Sequence, residues 1–311
     1  MSDSVQLTEG RDLPGTADRP LRTVLVLMWL AVGVDAVANL IPLPVPGSLV
    51  TVVSLLMELT FALVHGALAY RWRGILVFLA LALVISNVIE DIGVLTGVPF
   101  GHYHYTDELG PKLFEVPVLI GPAYFAVGYM AWFIATILLR PVSRSGRLST
   151  VVGTPVVASF VMVAWDLALD PSSATLRGRW VWEDGGGYFG VPLTNFLGWS
   201  LTVYLIYQLF ALYLHRWGPD AAGFQRLGTG YRTMPIVAYV VVAGDYVANW
   251  LTGGHDGVPP DVTDATGHLW RAADVYESSA LTAIYGMIFL ALLAALRLIG
   301  QVRDPARVVR P

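Results

Sequence analysis

The sequence predicts an all-α fold, a polytopic transmembrane helical bundle of about eight spans with both termini cytoplasmic. Three observations predict it. Of 311 residues, 55% are hydrophobic and only 14% charged, at a mean hydropathy of +0.61, whereas a soluble domain carries about 25% charged residues. Eight apolar stretches approach the roughly 20 residues that a helix needs to cross a hydrocarbon core. The connections between them alternate in charge. Open sheet edges cannot sit in lipid, and no alternating barrel pattern is present, so helices are the physical choice.

Residues 1–21 are polar, hold Pro14 and Pro20, and read as a disordered tail. Ala36-Val37-Ala38 after an apolar run has the form of a signal-peptide cleavage site. The region before it is long and of mixed charge, and more spans follow, so it is read as part of span one. The spans fall near 22–42, 48–70, 74–97, 118–139, 151–171, 195–215, 233–252 and 277–299. Residues 22–299 thus form one transmembrane domain and 300–311 a C-terminal tail. Fifteen of the 19 cationic residues lie in the two termini and in the joins near Arg71/Arg73, Arg140/Arg144/Arg147 and Arg216/Arg226/Arg232. The other four connections hold Lys112, Arg177, Arg179 and Arg271. That asymmetry sets the orientation. The sparsely basic connections are the elaborate ones, rich in Gly, Pro and aromatics. Trp and Tyr there also suit headgroup depth.

The spans carry carboxylates. Asp35, Glu90/Asp91, Asp166/Asp170 and Asp245 come late on the outward spans. Glu58 lies mid-span and Glu277 opens the last one. A charged carboxylate at mid-bilayer costs about 2.5–3.5 kcal/mol even on the lenient insertion scale. No Lys or Arg lies well inside a span, so these acids are hydrated, hydrogen-bonded or protonated. His65 is the only candidate base at that depth. Asp35/Asn39, Asp166/Asp170 and Asp245/Asn249 are spaced i,i+4, Asn87/Glu90/Asp91 i,i+3,i+4, and Glu58/His65 i,i+7. Each set shares a helix face turned from lipid. The competing reading of each acid is interhelical hydrogen-bond glue.

Several chemistries drop out. There is no cysteine, hence no disulfide, thiolate nucleophile or thiolate metal site. No basic surface invites nucleic acid. P-loop, GxSxG and HExxH patterns are absent. His102 and His104 form an HxH in a loop, too little for a metal site, and Gly93/Gly97 read as helix packing. No metal or organic cofactor is expected. Proton chemistry remains: a neutral carboxylic acid beside an aromatic-lined apolar cavity can protonate an alkene. Ring faces would stabilise the developing carbocation. The aromatics on hand are Trp165, Trp180, Trp182, Tyr188, Phe189, Tyr103 and Tyr105. A pair such as Asp166 with Asp170 can keep one proton and one charge.

Two stretches carry a resemblance, IEDIGVLTGVPFGHYHYTDELGP (89–111) and WDLALDPSSATLRGRWVWEDGGGYFGVPLTNFLGW (165–199). They resemble the signature of the membrane carotenoid 1,2-hydratase family, the "carotenoid biosynthesis protein" group that includes γ-carotene/lycopene and bisanhydrobacterioruberin hydratases. The likeness covers roughly 60–215; the last two spans match less clearly, and the insertion around 253–275 departs from it. It implies water addition across the terminal C1=C2 bond of an acyclic carotenoid end, giving a tertiary alcohol, in a multi-pass protein of the cell membrane. Substrate, water and membrane lipid are the implied partners, with other carotenoid biosynthesis enzymes as candidates. On that reading Asp166, Asp170 and Glu90, then Asp91, are the expected acid and water-handling residues. Tyr103, Tyr105, Trp182, Tyr188 and His102 are expected at the substrate, and Asn195 at the water. A proton-coupled transporter would share the intramembrane acids but favours broken helices in two repeats, whereas the Gly/Pro breaks here lie mostly in connections. A cyclase starts from the same protonation, and a non-catalytic scaffold leaves the carboxylates unexplained.

Overall fold

Alternating apolar stretches and polar joins become a mostly helical chain in the computed structural model, which describes residues 18–41, 47–144, 146–220, 227–254 and 257–303. Among the described residues six helices are long and apolar enough to cross a membrane, as expected of a multi-pass membrane protein. The helices are α1 (Asp18–Leu40), α2 (Gly47–Thr96), α3 (Ile120–Leu138), α4 (Leu148–Asp170), α5 (Leu193–Trp217), α6 (Thr229–Thr252), α7 (Ala272–Thr282) and α8 (Phe289–Arg303). A π-helical segment, Ala283–Ile288, joins α7 to α8.

The membrane-length part of α2 is 48 residues long. As a straight rod it would run about 70 Å, more than twice a hydrocarbon core. It is not straight. Arg71 leaves helical geometry (φ 60, ψ 164), and the chain doubles back there: His65 before the break and Phe78 after it both meet the ring of Tyr129, at 5.6 and 6.4 Å. The two arms match the two spans expected at 48–70 and 74–97. Helix α3 packs against α2 and α4. Tyr124 to Ile137 is buried without interruption, as befits a helix apolar all round.

Three prolines interrupt the helical ladders, and one rule explains how each is tolerated. Proline has no N–H, so the carbonyl four residues earlier loses its donor. In each case a side chain from another element supplies one. Pro155 frees Val151 O, which Gln208 Nε2 reaches at 3.2 Å. Pro235 frees Tyr231 O, which His65 Nε2 reaches at 3.0 Å. Pro171, opening the π-helical segment Pro171–Leu176 that extends α4, frees Leu167 O, which Tyr188 Oη reaches at 3.1 Å.

At one end of the bundle the chain forms three small antiparallel ladders, so the fold is not purely α as expected. Strand β1 (Tyr103–Tyr105) pairs with β4 (Trp180–Trp182), β2 (Lys112–Leu113) with β3 (Val116–Pro117), and β5 (Asp261–Thr263) with β6 (Leu269–Arg271). Phe100, 1% exposed, holds β1 against the helices. A Cβ on Gly93 of α2 or Gly198 of α5 would lie 2.6 or 2.5 Å from its ring. Gly93 therefore serves this wedge, where the sequence suggested helix packing.

Other boundaries shift. The expected tail 1–21 overlaps α1, whose first residue is Asp18, and residues 1–17 lie outside the described set. The last helix runs to Arg303, past the expected boundary at 299, and 304–311 again lie outside. Span five was expected to end at 171, but the π segment carries it to Leu176. The Asn39 side chain also falls outside the described residues.

Candidate active site

The strand period of two decides what β1 and β4 offer the bundle. Their register sets Tyr103 opposite Trp182 and Tyr105 opposite Trp180, with His104 and Val181 on the other face. The first four side chains point toward the helices, where a cavity of ≈220 Å³ is lined by all of them. It is also lined by Glu90 from α2, Tyr124 from α3, Asp170 from the end of α4, and Asn195 and Trp199 from α5.

Glu90, 2% exposed, is held by three phenols. Tyr103 and Tyr105 donate to Oε2, the latter at 3.0 Å, and Tyr124 donates to Oε1 at 2.6 Å. Burial first and the Glu90 charge second push the Tyr103 and Tyr105 phenols well above the ordinary tyrosine value, so both remain donors. An ionised carboxylate can accept from all three O–H groups at once.

Asp166 and Asp170 are each 1% exposed. Asp170 Oδ1 accepts from Trp180 Nε1 at 2.6 Å, and its Oδ2 accepts from Asn195 Nδ2. The same amide nitrogen reaches Asp166 Oδ2 at 3.4 Å. Asn195 therefore ties the i,i+4 pair together. Ring faces surround this group. Tyr124 and Trp199 stack at 4.1 Å and 4°, Trp199 meets Trp165 edge-on at 5.9 Å, and Tyr103 lies 4.8 Å from Trp182. Two guanidiniums, Arg177 and Arg179, also line the cavity. Burial, and after it the charge of Arg177, lowers Arg179 to about 10.

Of the residues named from sequence, the cavity gathers Glu90, Asp170, Tyr103, Tyr105, Trp182 and Asn195. Asp166 sits behind Asn195 and does not line it. Asp91 points elsewhere, its Oδ1 accepting the Glu115 N–H at 2.9 Å and anchoring the β2–β3 loop. His102 is exposed and its Nδ1 lies 2.8 Å from Asp184 Oδ2. Tyr188 is half-buried, its hydroxyl on the carbonyl orphaned by Pro171. His65 is fully buried but lies in an aromatic cluster of its own, and Glu277 is exposed. Glu58 and Asp245 line the far part of the same cavity with Tyr246. Sequence reasoning missed Tyr124 and Trp199 and left Trp180 among the general aromatics. Trp180 had a signal, since it shares its strand face with Trp182.

Residues 48–253 match the carotenoid biosynthesis protein family. The chain belongs to that family. The match takes in both arms of α2, the β1–β4 ladder, every acid of the cavity and α6, so the likeness extends past residue 215 into the seventh expected span. The β5–β6 ladder, α7 and α8 lie beyond it. The chain is also similar to a bisanhydrobacterioruberin hydratase of Haloarcula japonica, 32% identical over 190 residues. That alignment covers 58% of this chain and 60% of the relative, so the chain spans under two thirds of the curated relative it matches. No solved structure matches.

Proposed function

We propose that this family member is a carotenoid 1,2-hydratase, adding water across the terminal C1=C2 bond of an acyclic carotenoid end, and that it crosses the cell membrane eight times with both termini cytoplasmic. One observation carries the reading: in a chain of this family, two buried carboxyl groups, one among phenols and one paired with a second aspartate, face one aromatic-walled cavity. The relative's name points to the same chemistry.

The two carboxyl groups divide the work. Asp170, one helical turn from Asp166, is the proton donor, because two buried carboxyls so close together do not both ionise and the pair keeps one proton. Protonation at C2 forms a C–H bond with the alkene π electrons and leaves a tertiary cation at C1. Glu90, charged and held by its three phenols, faces that cation across the cavity. The faces of Tyr103, Tyr124, Trp182 and Trp199 add cation–π stabilisation. Water then forms the C1–O bond, and the oxonium returns its proton to the aspartate pair. The acid is regenerated, and no external reductant or oxidant is consumed. Asn195 is a positioning residue that fixes the two aspartates.

The test is expression in cells that accumulate lycopene, with pigment mass read by mass spectrometry. Products heavier by one or two waters are expected. Unchanged mass with a new ring chromophore would replace hydratase by cyclase. Unchanged pigment in the presence of folded protein would overturn the reading.

A further inference from the structure

A hydratase whose acids are buried needs a supply of water, and the structure holds a second cavity beside the first. It measures ≈470 Å³ and lies between the 174–182 segment and the 259–265 segment. Arg177, Trp180 and Trp182 line both cavities, so the wall between them is one side chain thick. Trp180 already touches the acid, its Nε1 bonded to Asp170.

Two donors in that wall have no protein acceptor, Arg177 Nε and Trp182 Nε1, both buried. Trp182 as a whole is only 6% exposed. Its indole lies beside Asp170 but outside hydrogen-bonding geometry. Buried donors are costly to leave unmade, and two of them on one wall suit a single small acceptor.

The roof of the outer cavity is built for its place. Asp264 gathers the β5–β6 ladder, accepting from the backbone N–H of Thr266 and His268 at 3.0 Å each and from Trp270 Nε1 at 2.8 Å. The ladder then settles on glycines: a Cβ on Gly185 would lie 2.7 Å from Thr266 Cγ2. This roof lies outside the part of the chain that matches the family.

We infer that the outer cavity is the entry route for water, and that Arg177 and Trp182 form a water-binding site in the wall between it and the acids. The water accepts from Arg177 Nε and Trp182 Nε1 and keeps its own two hydrogens for acceptors on the inner side. The entry route stands on geometry alone, while the use of that water in catalysis rests on the hydratase reading.

The chain has no cysteine, which makes the route testable without activity. Ser173, 1% exposed, lines the inner cavity, and Ala265 and Thr263 line the outer one from the roof. Ser173→Cys is placed in the otherwise unaltered full chain and labelled in membranes with 2-aminoethyl methanethiosulfonate. Labelling is expected, and adding Ala265→Trp or, as a second plug, Thr263→Trp is expected to slow it about tenfold or more. Plugged chains are compared only if their melting temperature matches the parent. Equal labelling with and without the plugs, or none in the unplugged chain, overturns the route. In the pigment assay the plugs are expected to lower kcat and leave the carotenoid KM unchanged. Full hydration by a plugged chain overturns the catalytic use. If the unplugged chain makes no hydrate at all, the hydratase reading fails while the labelling still decides the route.

Discussion

Two buried polar centres sit in this bundle, and their hydrogen bonds end in different places. His65 is wholly buried. Its Nε2 donates to the Tyr231 carbonyl, its Nδ1 faces the Tyr129 hydroxyl, and the Tyr231 ring stacks on it at 3.7 Å and 7°. Its bonds close on a backbone carbonyl and on one hydroxyl within a packed aromatic cluster, and the carbonyl it serves is the one that Pro235 orphaned. The Glu90–Asp170 centre is equally buried, yet its bonds end on other side chains around a cavity. Burial and rarity are the same in both. The difference teaches that a buried ionisable group is read by what its partners would lose without it: a repaired helix in one case, a shaped reaction site in the other.

The sharpest way to break this comparison is Asp170→Asn. It keeps the shape and removes the transferable proton, so hydrate formation should fall about 10²–10⁴-fold, the usual worth of a general acid. Because both Asp170 oxygens accept from N–H donors, the amide also opposes one of them, so turnover is read per folded molecule. Undiminished pigment turnover would remove Asp170 from the chemistry. Next in size is Glu90→Gln, which places an amide N–H against phenols that are already donors. Loss of the charge facing the cation should lower the rate about 10²–10³-fold, read in the same pigment assay. If the loss is confined to folded yield, Glu90 is structural after all.

Tyr124→Phe tests a residue that sequence reasoning passed over. It removes one of three donors to Glu90 and keeps the stacked ring on Trp199. A drop of about tenfold in kcat is expected, one charge-assisted hydrogen bond being worth roughly 1.5–3 kcal/mol at most. A KM change alone would make Tyr124 a shape residue.

What was legible in the sequence, and what was not, follows the same physics. Glu90 and Asp170 stand out because lipid makes a carboxylate in an apolar run expensive. Tyr103, Tyr105 and Trp182 stand out as aromatics in the two stretches that carry the resemblance, although the strand alternation of HYHY and WVW went unread. Tyr124 does not, because a tyrosine in an apolar span reads as packing until its hydroxyl is seen to meet an acid from another helix. Tyr188 was expected at the substrate for its chemistry. Its hydroxyl serves Leu167 O, a need created by Pro171, 17 positions away in the chain and adjacent only in space. The helical arms were visible as two apolar runs and the turn falls in the basic join expected near Arg71/Arg73, whereas its confinement to the backbone geometry of one residue is announced by no pattern.

The smallest effect is the most decisive for the other centre. His65→Leu should leave turnover per folded molecule unchanged and lower stability by about 1–3 kcal/mol, the cost of a buried carbonyl without its donor. That loss alone does not prove the role, since any core substitution destabilises. Pro235→Ala supplies the missing test, because alanine at 235 restores a backbone N–H to the Tyr231 carbonyl and makes the histidine redundant. The double variant should then be more stable than the sum of the single changes by about 1 kcal/mol, measured as a coupling energy from thermal or denaturant unfolding in detergent. Simple additivity would mean that His65 is held for its packing against Tyr231 and Phe133. A loss of turnover in His65→Leu would mean that the boundary between the two centres has been drawn in the wrong place, and that the aromatic cluster communicates with the acids through Tyr129 and α3.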